Sequence, residues 1–146
     1  MFADCENLST APVLPANTIA PSCYKSMFSG CATLTEAPCL PSINLEESCY
    51  ESMFNGCIAL TSAPSLQATE LANACYHSMF KNCTSLIEAP NLPATTLKQS
   101  CYQNMFYRCK NLTSAPNLPA TELEGLCYYG MFHYCSSLNS INISFT

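Results

Sequence analysis

The chain has no tryptophan, only 4 glycines and only 5 lysine and arginine residues in 146. Charged residues make up 10% of it, and no run approaches 18 uninterrupted apolar residues. Each shortage excludes something. Five cations cannot build a phosphate-tracking stripe, so a nucleic-acid binder is excluded. The scarcity of charge, beside 49% hydrophobic residues, excludes a disordered acidic tail. The absence of a long apolar run excludes a transmembrane helix. With 10 prolines against 4 glycines, the turns are not glycine-rich hairpin turns.

What is abundant is repetition. Met-Phe occurs at Met1, Met27, Met53, Met79, Met105 and Met131, always 26 residues apart. Counting each Met as position 1, Leu8, Leu34, Leu60, Leu86, Leu112 and Leu138 recur at position 8. An Ala-Pro pair follows at positions 11 and 12, as in Ala37-Pro38, and each unit closes on Cys-Tyr, as in Cys49-Tyr50. The chain is a single repeat array of five full units and a partial sixth from Met131. A unit this short cannot bury its apolar face alone; stacked copies bury a continuous core.

Two halves are legible in the unit. From Cys23, at about 100° per residue, Met27 falls near 40°, Cys31 near 80° and Leu34 near 20°, one apolar stripe predicting about two turns of helix or 3₁₀. The second half, such as Leu34-Thr-Glu-Ala-Pro-Cys-Leu-Pro, has no helical pattern and predicts a short extended segment. Stacked in register, these segments would form a parallel ladder, kept short by a proline that cannot donate to it. The terminal Leu138-Asn-Ser-Ile141-Asn-Ile143-Ser-Phe145 alternates without proline and predicts a better strand.

Met-Phe-x-x-Cys-x-x-Leu, four residues after an apolar residue, as in Cys49-Tyr50-Glu-Ser-Met53-Phe54-Asn-Gly-Cys57-Ile-Ala-Leu60, resembles the leucine-rich repeat of the BspA-like class of bacterial surface proteins. The resemblance covers essentially the whole chain. It implies an α/β solenoid, a right-handed coil of 26-residue units with short parallel strands on one face and short helices on the other. It further implies a secreted or cell-surface protein with no catalytic residues, acting in adhesion. The Ala-Pro and Cys-Tyr pairs depart from the pattern.

Cysteine, 12 in 146, is as dense as in a disulfide scaffold. Two readings stay open. Six cysteines at position 5 and five at position 23 would be ladders of buried free thiols. Alternatively the pairs 23/31, 49/57, 75/83, 101/109 and 127/135 would be disulfides. Eight residues of helix rise about 12 Å, beyond the reach of a disulfide, so helix and pairing exclude each other. No Cys-x₂-Cys knuckle suggests a metal, and Cys39 stands apart at a variable, exposed position.

No catalytic constellation and no cofactor signature is evident. His77 and His133 fall at different phases of the unit. Glu46-Glu47 and the Glu122/Glu124 pair suit charges at a helix N-terminus better than an acid–base pair. Four Asn-x-Ser/Thr sequons, at Asn7, Asn82, Asn111 and Asn142, are by-products of the repeat.

If the recurring positions are core, binding must use the positions that vary. Positions 3, 4 and 25 grow aromatic toward the C-terminus, giving the candidate binding residues Tyr107, Arg108, Tyr129, His133 and Tyr134. Tyrosine and arginine dominate interface hot spots. The competing face carries Thr10, Glu36, Ser62, Glu88 and Ser114, with Asn91 and Asn117, a bland polar row suited to polyvalent contact. Met1 belongs to a repeat unit and no leader or cap is evident, so the chain is expected to be a piece of a longer array. The expected partner is a protein or glycan on a host or neighbouring cell, the chain itself being monomeric or weakly associated end to end. The alternative is a structural spacer presenting another domain.

Overall fold

The computed structural model describes residues 1–141. The last residues of the expected terminal strand, Ile143 and Phe145 among them, and the sequon at Asn142 lie outside the described residues.

The expected α/β solenoid is not what the chain forms. Among the described residues there is no helix, and regular strand is limited to β1 (Thr96–Leu97) and β2 (Glu122–Leu123). These pair in parallel, Thr96 with Glu122 and Leu97 with Leu123. They lie where the sequence predicted the approach to a helix. On the predicted strand side, single-residue parallel bridges link Thr10, Glu36, Ser62, Glu88 and Ser114 in turn. The bridging residue sits two before the Ala-Pro proline, whose missing N–H ends the pairing there.

The predicted helix is replaced by a run of turns tied to the next unit. Over residues 22–31 the backbone donors alternate. The N–H groups of Ser22, Tyr24, Ser26, Phe28 and Gly30 donate to the carbonyls of Glu47, Cys49, Glu51, Met53 and Asn55, at 2.8–3.0 Å. Those of Cys23, Lys25, Met27, Ser29 and Cys31 donate three residues back, to Ala20, Ser22, Tyr24, Ser26 and Phe28, at 3.1–3.2 Å. The same alternation recurs in the following units, with Tyr50, Phe54, Tyr76, Phe80, Tyr102 and Phe106 each donating to the unit after. The turns 20–23, 24–27 and 28–31 each hold their third residue at positive φ (Ser22 56°, Ser26 54°, Gly30 76°), as type II turns require.

Physical chemistry favours this over a helix of the same length. A ten-residue helix leaves four N–H and four C=O groups unpaired at its ends and is marginal by itself. The turn run pairs every N–H of residues 22–31, and the same holds for 48–57, 74–83 and 100–109, each with the following unit beside it. Among the described residues every positive-φ residue falls at unit position 4, 22 or 26. Position 22 holds Ser22, Ser48, Ala74, Ser100 and Leu126; position 26 holds Ser26, Ser52, Ser78, Asn104 and Gly130.

The apolar side chains stack into columns. Phe2, Phe28, Phe54, Phe80, Phe106 and Phe132 form one, with ring centroids 5.6–5.8 Å apart and planes within 6°. Tyr24, Tyr50, Tyr76, Tyr102 and Tyr128 form a second at 5.7–6.1 Å. Met, Leu and Cys columns fill the space between them, fully buried in the central units.

All twelve cysteines are free thiols, so none of the five pairs forms. Those at position 5 have a structural task. Cys31, Cys57, Cys83, Cys109 and Cys135 each donate S–H to the carbonyl of Phe2, Phe28, Phe54, Phe80 and Phe106, at 3.0–3.1 Å. Burial pushes the Cys57 thiol up to about 12 and Cys83 well above the usual range, which keeps the donor proton in place. Cys83→Ala is therefore expected to cost about 1–2 kcal/mol, a lost hydrogen bond plus a small void. Cys5→Ala, at the exposed start of the same column, should stay within about 0.5 kcal/mol of the parent. Urea denaturation of the two variants checks the contrast.

Candidate functional site

Four of the five candidate binding residues meet on one corner of the stack. Tyr107 and Arg108 hold positions 3 and 4 of the fifth unit, and His133 and Tyr134 hold the same positions one unit on. The inter-unit ladder fixes them: Arg108 N–H donates to the His133 carbonyl at 2.8 Å, and Asn82 N–H to the Tyr107 carbonyl at 2.8 Å. The His133 and Tyr134 rings stack at 4.2 Å with planes 9° apart. Tyr107 stands edge-on to both, 5.7 Å from His133 and 5.5 Å from Tyr134.

Cations cover these rings. The Arg108 guanidinium lies 5.3 Å from the Tyr107 centroid and 5.4 Å from that of Tyr134. Lys81 Nζ, from the unit before, lies 5.2 Å from Tyr107. These distances are within the range of cation–π attraction. The corner is open to solvent: Arg108, His133 and Tyr134 are exposed and Tyr107 is half-buried. Lys81 was not among the candidates, although its place at position 3 put it in register with Tyr107 and His133.

Tyr129 is the candidate that stands apart. It is 63% exposed and makes no ring contact with the other four. In a helix Tyr129 and His133, four residues apart, would share a face. In the turn run their rings are not in contact, so the contacting cluster holds four of the five candidates.

Backbone strain marks the same corner. Position 4 lies at positive φ in every unit, and the first four units fill it with Asp4, Gly30, Gly56 and Asn82. These types tolerate the left-handed region. The last two place Arg108 (φ 61°) and Tyr134 (φ 63°) there. A long side chain in that conformation costs roughly 1–2 kcal/mol. Leu126 (φ 61°), at position 22 of the fifth unit, shares the strain, so long side chains in left-handed positions are confined to the C-terminal part of the described chain.

The other candidates do not converge. Thr10, Glu36, Ser62, Glu88 and Ser114 form a single exposed row along the bridges. His77 sits 3.8 Å from Glu51, which also pairs with Lys25 at 3.0 Å; burial lowers the His77 pKa, partly offset by Glu51. Glu46, Glu47, Lys98 and Glu124 border a shallow depression of about 430 Å³. Glu124 binds Lys98 at 3.0 Å and accepts the Gln99 N–H at 3.1 Å. There is no helix for these residues to cap, which corrects their reading as helix-end charges; Glu122, accepting from the Thr96 hydroxyl at 3.1 Å, and Glu124 are inter-unit ties. Cys39 is exposed beside a groove of about 190 Å³ lined by Pro38, Leu40, Pro41 and Pro64. A cavity of about 330 Å³ against Leu118, Tyr128, Met131 and Ile141 shares His133 with the aromatic corner. Among the described residues no three His, Cys, Asp or Glu side chains gather as metal ligands. Among the described residues no helix is long and apolar enough to cross a membrane.

Comparison with family models, with curated proteins and with solved structures finds no match to this chain.

Proposed function

We propose that this chain is a non-catalytic binding module, displayed on a cell surface or secreted, that engages a protein or glycan of a host or neighbouring cell. The observation that supports the reading is the corner formed by Lys81, Tyr107, Arg108, His133 and Tyr134. It gathers residue types that concentrate binding energy, three of them exposed and two in strained backbone. Such strain persists where function requires the residue. The likeness of Met-Phe-x-x-Cys-x-x-Leu to the motif of BspA-like surface proteins supports the location. The reading includes no enzyme activity and no cofactor.

A structural spacer is the second reading, and the bland row from Thr10 to Ser114 favours it. The test is binding of the chain, presented as a multimer, to an array of host glycans and matrix proteins. A Tyr134→Ala/Arg108→Asn variant is run beside it; Asn occupies this backbone position in the unit before. The expected result is a specific signal lost in the variant. A signal that survives moves the site to the bridged face, and silence from a folded chain favours the spacer.

A further inference from the structure

The charge around this corner is unlike that of the rest of the chain. The protein is acidic, with a formal charge of −5. Of its five cations, Lys25 and Lys98 are bound to Glu51 and Glu124 at 3.0 Å. Among the described residues Lys81, Arg108 and Lys110 have no carboxylate partner. They occupy positions 3, 4 and 6 of the fourth and fifth units. The first eight positions of the fourth, fifth and sixth units (79–86, 105–112 and 131–138) contain no Asp or Glu at all. The same stretch of the first unit carries Asp4 and Glu6. The edge of the stack therefore runs from acidic at one end to basic at the aromatic end.

Rings and unpaired cations together narrow the ligand. A site for a neutral sugar would need the tyrosines and not the cations. A site for a bare anion would need the cations and not the rings. Cations left without carboxylates, and held over aromatic faces rather than dispersed in solvent, suit a ligand with both an anionic group and a flat C–H-bearing face. Successive units are 5.6–5.8 Å apart along the phenylalanine column. Lys81, Arg108 and His133 thus recur along the stack at a step on the order of one sugar ring. An acidic peptide could satisfy the charges, but its carboxylates sit on flexible stems and gain nothing from the edge-on arrangement of Tyr107 against His133 and Tyr134.

Taking the corner as the binding surface, we infer that its ligand is an acidic saccharide, a sugar chain carrying sulfate or carboxylate groups, with Arg108 and Lys81 turning from the rings to meet the anions and the Tyr134 and Tyr107 faces they uncover meeting the sugar. Calorimetry tests this with four probes of similar length: a heparin octasaccharide (sulfate and carboxylate), an oligogalacturonate (carboxylate alone), a neutral malto-oligosaccharide and a polyglutamate peptide. At least one acidic sugar should bind, weakening as NaCl rises from about 0.05 to about 0.5 M, where screening shortens sharply. Arg108→Gln, Lys81→Gln and Tyr134→Ala should each weaken binding about tenfold, the effect of one lost contact to a charged or stacked group. Lys25→Gln, a cation already paired elsewhere, should leave binding unchanged. Urea curves establish that each variant folds, and Arg108→Asn stands in if Arg108→Gln does not.

Polyglutamate binding as tightly as the sugars would overturn the inference. So would a Lys25→Gln loss equal to that of Arg108→Gln, because the attraction would then be diffuse. If neither acidic sugar binds while a neutral glycan or a protein from the array does, through Tyr134, the anionic assignment fails and the binding module stands. If every probe and the whole array are silent toward the folded chain, both fail.

Discussion

Phe80→Ala is expected to remove about 3–5 kcal/mol of stability, the range for truncating a buried aromatic. Phe80 has no exposed surface, and its ring is stacked on Phe54 at 5.6 Å and Phe106 at 5.7 Å. The substitution deletes two stacked pairs, each worth about 0.5–1.5 kcal/mol beyond burial. It also opens a void that the fixed backbone around it cannot close, because Phe80 N–H is held by the Met105 carbonyl at 3.0 Å and its own carbonyl accepts both Cys83 N–H and Cys109 S–H. The lesion lies mid-stack, where the units on either side are joined through it. Phe2→Ala, at the end of the column with one ring neighbour, should cost much less. Equilibrium denaturation of the two variants gives the comparison; equal losses would mean that the rings are not energetically stacked.

Ser78→Pro should be nearly as damaging, at more than about 3 kcal/mol. Ser78 holds φ at 54°, and proline is locked near −65°. The substitution also deletes the N–H that Ser78 donates to the Gln103 carbonyl at 2.8 Å, which leaves that acceptor unpaired. The third and fourth units would lose a rung of their ladder and a turn at one point. The natural prolines avoid this: Pro64, Pro90 and Pro116 sit at position 12, beyond the bridging residue, where no N–H enters the ladder. A Ser78→Pro chain as stable as the parent in urea would show that this backbone conformation is wrong.

The 26-residue period, the recurring core positions and the Phe and Tyr columns were all legible, because identical spacing forces identical residues into register. Whether the Cys-Tyr to Cys segment is helix or turn was not legible from apolar periodicity. Residues spaced at 23, 27, 31 and 34 form one stripe on a helix, and they also face one side of a run of four-residue turns. The distinguishing signal was in the polar residues. Ser22, Ser26 and Gly30, then Ser48, Ser52 and Gly56, place left-handed-tolerant or small types every fourth residue. That is a turn period without meaning in a helix, and the apolar stripe overshadowed it. The candidate corner was legible for Tyr107, Arg108, His133 and Tyr134, which share unit positions and so must stack. Tyr129, a candidate because it holds the variable position 25, makes no ring contact with them, while Lys81, in register with Tyr107, lies over the Tyr107 ring.

The sign of one glycine substitution tests the turn ladder most directly. Ser52 sits at φ 55° and donates its N–H to the His77 carbonyl at 2.8 Å. In a helix Ser52→Gly would destabilise by about 0.5–1 kcal/mol. In the left-handed conformation glycine relieves a backbone strain of roughly 1–2 kcal/mol, which offsets or exceeds its entropy cost. The turn ladder predicts that Ser52→Gly unfolds at the same urea concentration as the parent or a higher one. A fall of about 1 kcal/mol, the helix-interior value, would contradict it.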